Sequence, residues 1–456
     1  MSAIVLPKEL TSSKRESFKV VTAEGVKRDE KALAYADHVD YYIDGRLFSS
    51  YSSLYALFYR NESFNGVVQL QEDIQLAATL YVGNDATIDL NGHRLTHTFL
   101  AAYVVQNGAR LKVENGELSC TVQGFQIYDG SVELEDVKMN ATRRPFNVVT
   151  KPDGVNGLSA RSSLTIGPGA SVYFRDETED CASFISGIGL RLYPYDEATG
   201  KYDDSCRHRP RIDVYGELIA DASGASGFTY CFSDNGSEGL AGGGDVVVHP
   251  GAVISAVNGF GIHVAAGTSL SLLGGYVYGD RCAIDMRTGY LTVPADSSVS
   301  VVCDGVSAQY DPGHFGGLGA TDFDTGDALI LESCSYGKYD PARIPATPPQ
   351  VSIKGGTFRS AHGNAVASYQ HTKAANAARY LQSDYDAGIK LNNGSLGEVG
   401  AIYAVTNVTS GSTKLPRNQW TWKIPAIEDY EPNFWPRVEG FMEGGDVEPV
   451  PATEPY

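Results

Sequence analysis

Five segments of the chain end on a glycine and carry polar side chains at matching places behind it: YVVQNG, FQIYDG, YCFSDNG, FGIHVAAG and CAIDMRTG. Counting back from Gly108, Gly130, Gly236, Gly267 and Gly289 gives two sets of equivalent positions, Tyr103, Phe125, Cys231, Ile262 and Ile284, then Val105, Ile127, Ser233, Val264 and Met286. Those sets are expected to point inward. The residues between them, Gln126, Tyr128, Phe232, Asp234, His263, Asp285 and Arg287, are expected to point outward, joined by Arg191 from GIGLRLY. If the segments are neighbouring strands of one sheet, equivalent residues stand about 4.8 Å apart. His263 and Asp285 are then neighbours, with Asp234 and Arg287 close by. A carboxylate beside an imidazole raises its pKa, and such a pair suits general acid–base chemistry. His263, Asp285 and Asp234 are therefore the candidate catalytic residues. Tyr128 and Phe232 have the ring faces to stack on a pyranose, and Arg191, Arg287 and Gln126 the donors to hold one. The plainer reading of the same residues is a solvated polar ladder on a sheet surface.

What must position them is a repeat. From about residue 66 to 370 short alternating segments recur: ATIDLNG, ARLKVENG, GSVELEDV, SSLTIGPG, PRIDVYG, GDVVVHPG, TSLSLLGG, GYLTVPAD and PQVSIKGG. Clean copies lie 21–25 residues apart, with Ile88 answered by Leu111 and Val247 by Leu270. That period signals a solenoid. Leucine-rich consensus and helical repeats are both lacking, so the expected class is all-β, a parallel β-helix with two or three short strands per coil. Alternation sends Ile88 and Leu90 inward and Thr87 and Asp89 outward, and Asn91-Gly92 supplies a corner. Ahead of the repeat, Leu54, Leu57 and Phe58 share a helical face, and such a helix is expected to cap the open end of the stack. Four regions follow: 1–65 with the capping helix, 66–370 the β-helix, 371–427 a C-terminal cap or small domain, and 428–456 an acidic, proline-rich, extended tail.

The stretch SSLYALFYRNESFNGVVQLQEDIQLAATLYVGNDATIDLNGHRLT resembles the opening coils of right-handed parallel β-helix proteins of the pectate lyase-like superfamily. SLSLLGGYVYG and VSIKGGTFRSA look like later coils of the same kind. The resemblance implies the fold and leaves several activities open, because the superfamily holds lyases, hydrolases, adhesins, phage tailspikes and structural proteins. The leading expectation is a glycan- or partner-binding structural protein, a phage tail or head fibre component of a virion. The alternatives are a tailspike-like polysaccharide hydrolase or lyase and a cell-surface adhesin. Fibres of this kind are commonly trimers, so a homotrimer is expected. The calcium aspartates and arginine of pectate lyase chemistry have no matching positions in this sequence.

Composition narrows the partners. The 456 residues carry a net charge of −19, which argues against nucleic acid, because phosphate binding needs a basic footprint. No apolar run reaches the length of a membrane span, and the N-terminus lacks the apolar core of a signal peptide, which favours a virion over secretion. An extracellular or a cytoplasmic location is compatible with the same residues. Seven scattered cysteines without metal-type spacing read as buried free thiols. No cofactor is expected and no metal site is assigned, although DFDTGD at 322–327 has the alternating carboxylates of a loose calcium loop. The acidic run Asp176, Glu177, Glu179 and Asp180 could supply the paired carboxylates of glycoside hydrolysis. His93 and His97 read as surface residues at a turn, and His249 as structural. Long polar insertions at 193–211, 309–327 and 337–350 are expected to gather on one face.

Overall fold

The computed structural model describes residues 54–60, 64–121, 123–142, 144–150, 162–175, 210–224, 228–234, 244–264, 268–286, 289–305, 326–332, 350–361 and 365–371, together with short strands elsewhere. The chain is all-β and its strands pair overwhelmingly in parallel. The arrangement is compatible with a parallel β-solenoid. One coil shows the plan. The chain passes through Ala86–Asp89, turns, runs through Arg94–His97, turns again into Ala101–Gln106, and begins the next coil at Arg110. Each strand pairs with its counterpart one coil on, so three ladders form. The first and second merge because Arg110–Cys120 and Ser131–Ala141 run through the corner unbroken. The third is built in two blocks, one from Leu80–Val82 to Ile185–Arg191, the other from Thr229–Ser233 to Val366–His371.

Strict alternation fills the interior. On the first ladder Val68, Ile88, Val113, Leu134, Ile166, Val214, Val248 and Leu272 stand in one inward row. All belong to a single buried core. The third ladder contributes Tyr103, Phe125 and Phe146, whose rings stack at 4.5 and 5.5 Å. The true register differs slightly from the sequence spacing: Ile88 faces Val113 rather than Leu111, and Leu270 faces Val246 rather than Val247. Alternation fixes which residues point in, but the sequence alone leaves a one- or two-residue slip open.

Corners require the left-handed backbone region. Asn91, Asn115 and Asp136 take it between the first and second ladders, at φ 51, 61 and 51°. Asn and Asp tolerate this region better than other side-chain-bearing residues. The helix Leu54–Arg60 buries Leu54, Leu57 and Phe58. The tail expected to be extended contributes two strands, Arg437–Gly440 beside Gln350–Ile353 and Glu448–Val450 beside Val399–Val405. Open sheet edges offer backbone pairing whatever the side-chain composition of the segment that fills them.

Candidate functional site

The outer face of the third ladder gathers the sequence-predicted polar residues in two places. In the first block Tyr81, Val104, Gln126 and Asn147 form one outward row, alternating with the inward Leu80, Tyr103, Phe125 and Phe146. Gln126 sits at the centre of a bonded group. Its Oε1 accepts from the Tyr128 hydroxyl at 3.0 Å and from Asn147 Nδ2 at 2.8 Å, and its Nε2 donates to Gln123 Oε1 at 3.0 Å. Partial burial raises the Tyr128 phenol pKa, and the hydrogen bond from Asn147 opposes that shift. The group is thus neutral, preorganised and rich in amides, which suits hydroxyl-bearing ligands more than charged ones. Tyr81 leaves its ring 42% exposed beside it.

In the second block His263 and Asp285 are in register, and His263 Nδ1 lies 2.7 Å from Asp285 Oδ2. Both side chains are wholly buried, so the expected exposed pair is corrected to a sealed one. Every residue of Gly259–Val264 and Cys282–Met286 is buried, which means that both faces of this block are covered. The Tyr230 ring stacks on His263 at 4.9 Å and packs against Phe260.

Phe232 is a second correction. It is paired with Ile262 and lies in the core, so it offers no face to a sugar. Ser233, expected to point inward, occupies the row of His263 and Asp285 instead. Counting from glycines failed here because Phe232 stands one residue nearer Gly236 than Ile262 does to Gly267. The row places a hydroxyl, an imidazole and a carboxylate on adjacent coils, the residue types of acyl transfer, yet all three are sealed from solvent. Asp234 is buried as well, and its Oδ2 accepts from the Thr268 backbone N–H at 3.2 Å.

Arg191 ends the strand Ile185–Arg191, where its backbone pairs with Leu240, and its side chain lies outside the described residues. Arg287 and the acidic run 176–180 also lie outside them. Of the DFDTGD string, Asp327 is fully buried. No group of three or more His, Cys, Asp or Glu among the described residues could hold a metal ion, and no described helix is long and apolar enough to cross a membrane. Cys120, Cys231, Cys282 and Cys303 are free and buried.

Two features escaped the sequence reading. Asp213 accepts from Arg211 Nη2 at 2.8 Å and lies 2.8 Å from His249 Nε2, while the His249 ring stacks on Tyr215 at 3.8 Å. Partial burial pushes the Asp213 pKa up, but Arg211 and His249 outweigh it and hold the carboxyl below its usual range. The signal was present: Tyr215 and His249 each follow the last inward valine of their strand, Val214 and Val248, which are paired. The other is a groove of about 550 Å³ on the outer face of the first ladder. Its lining includes Thr87, Arg110, Lys112, Ser131, Glu133 and Thr165. Thr87, Lys112, Glu133 and Thr165 form one row across four coils. Lys112 bridges Glu114, at 2.6 Å, and Glu135. Only the three-dimensional stacking of the coils makes the groove visible.

No family model, curated protein or solved structure matches the chain. The residues themselves therefore carry the functional reading.

Proposed function

We propose that this chain is a right-handed parallel β-helix, closed at its start by the helix Leu54–Arg60, that binds a glycan or glycan-bearing partner. The observation that carries the proposal is the groove on the first ladder, lined by polar and apolar residues alike. Its row of Thr87, Lys112, Glu133 and Thr165 repeats at the coil spacing of about 4.8 Å. That spacing is comparable to the length of one pyranose residue, so a saccharide lying along the coils would meet an equivalent side chain at each sugar. The hydroxyls of Thr87, Ser131 and Thr165, beside a Lys112 already paired with Glu114 and Glu135, favour a neutral glycan over a strongly charged one. The Gln126–Tyr128–Asn147 group and the exposed Tyr81 add a second polar–aromatic surface on the same coils. The burial of His263, Asp285 and Ser233 favours binding over turnover. Placement in a homotrimeric virion fibre follows the resemblance to phage β-helices.

The test is binding of the full chain to a panel of bacterial and plant polysaccharides, scored together with release of reducing ends and of unsaturated products. The expected result is retention of a neutral glycan without product, weakened at least tenfold in Thr87→Ala/Thr165→Ala and less in Tyr128→Ala. Equal affinity in all variants would remove the groove from the reading. Product formation would replace it with the hydrolase or lyase alternative.

A further inference from the structure

The interior of the second and third coils holds polar atoms that the apolar core does not explain. Leu76, His97, Cys120 and Ala141 stand in one inward row of the second ladder. His97 was expected at the surface. Instead it is the last residue of Arg94–His97, alternating with the inward Leu95, and it is fully buried. The Tyr103 ring meets it edge-on at 4.6 Å. Both His97 nitrogens and the Tyr103 hydroxyl are buried without a hydrogen-bonding partner, although the Ala78 carbonyl comes near the His97 ring. Each such atom costs about 1–3 kcal/mol, and native interiors seldom leave one unexplained.

The surroundings define what would satisfy them. His97 is wholly buried, and charge is expensive in an apolar interior, so its ring stays neutral and keeps a lone pair. Cys120 occupies the next coil in the same row, about one strand spacing of 4.8 Å away. Metal–thiolate and metal–imidazole bonds of about 2.3 and 2.0 Å laid end to end nearly span that spacing. Thiolate and imidazole together select soft ions. A divalent ion against one thiolate would leave a net charge in an apolar interior, where charge is expensive. A monovalent ion would leave none. Two ligands fall short of a zinc-type set, in line with the lack of larger ligand clusters among the described residues.

We propose that His97 and Cys120 form a two-coordinate site for Cu⁺ inside the stack, with the Tyr103 hydroxyl donating a hydrogen bond to the thiolate. On binding, the Cys120 S–H bond breaks, a Cu–S bond forms and one proton leaves to solvent. No electron is transferred. Because the site is enclosed, the ion is expected to enter during folding.

The experiment refolds the full chain anaerobically with Cu⁺ in competition with bathocuproine disulfonate. It compares wild type, Cys120→Ser, His97→Leu and the double variant. The other thiols serve as internal background. The expected result is loss of one tightly held equivalent in each single variant, with no further loss in the double variant. X-ray absorption of the loaded wild type should show one sulfur and one nitrogen neighbour for that equivalent. Tyr103→Phe should keep the ion and weaken its retention a few-fold. Cys120→Ser is nearly isosteric, so it remains decisive if His97→Leu does not fold. Undiminished copper in Cys120→Ser, or an ordered water joining His97 and Tyr103 in a crystal grown from copper-treated protein, would overturn the proposal.

Discussion

At the scale of single residues, position along a strand decides chemistry more than residue type does. The His263–Asp285 pairing could be read from two glycine-anchored segments because no irregularity separates their registers. Phe232 could not be placed the same way, since one residue fewer before Gly236 shifts its neighbours. Burial was invisible for both, as it depends on what covers the sheet. His97 was misread for a related reason: the NGH turn hides that strand alternation resumes at Arg94 and carries His97 inward. This placement makes a pH prediction for metal-free protein. The folded His97 pKa is about 3, and the unfolded value is about 6.5. Between these values the unfolded chain binds a proton that the folded chain refuses. The contribution is therefore fully present above about pH 6.5 and is lost as the pH falls towards 3. Urea midpoints at pH 7 and pH 4 should differ more in wild type than in His97→Leu, by about 3 kcal/mol once converted through the denaturant slope. An identical pH slope in the two proteins would show that the ring takes up its proton without unfolding.

At the scale of elements, the corners carry the information. The first corner uses a left-handed residue in most coils: Asn91, Asn115 and Asp136 early, Gly251, Gly275 and Gly356 later. At Asn91, Asn115, Gly275 and Gly356 this regularity was legible as Asn-Gly and Gly-Gly strings, whereas Asp136 and Gly251 stand in neither. The coil length was not, since it is 21 residues from Val113 to Leu134 and 60 from Val293 to Ile353. The extra residues enter around the third ladder, leaving the first corner short throughout. Two glycine corners separate strain from crowding. At Gly92 φ is +80° and a Cβ would meet nothing within 4 Å. At Gly275 φ is +88° and a Cβ would fall 2.5 Å from the Ala252 carbonyl oxygen, against backbone that cannot yield cheaply. Gly92→Ala should cost about 1 kcal/mol from backbone strain alone, and Gly275→Ala about 3 kcal/mol or more. Chemical denaturation of both variants checks the order, and equal losses would mean that the second corner relaxes around the added methyl.

At the scale of the whole molecule, a stack of parallel coils has a structural liability at its ends. Each terminal coil presents unpaired N–H and C=O groups along a full strand, a template for another chain. Here the first ladder begins with Phe18–Thr22, which runs antiparallel to Gly66–Leu70 from Phe18 opposite Leu70 to Thr22 opposite Gly66. Farther along, Val399–Val405 runs antiparallel to Val366–His371, and Trp420–Thr421 runs antiparallel to Arg437–Gly440. A reversed strand stops the parallel progression, because the next coil in sequence cannot continue from it. The sequence signalled the repeat clearly but not these reversals, which are short and lack the alternation of the coils. The first reversal can be tested directly. Removing residues 18–22 leaves the outer edge of Gly66–Leu70 unpaired, while Val68 and Leu70 remain in the core and the coils above are untouched. The truncated chain should stay folded by circular dichroism and self-associate with rising concentration in light scattering. The net charge of −19 opposes that contact, so association should strengthen as salt is raised through the range where screening sets in. A truncated chain that scatters like the full-length protein at every salt concentration would show that Phe18–Thr22 does not guard that edge.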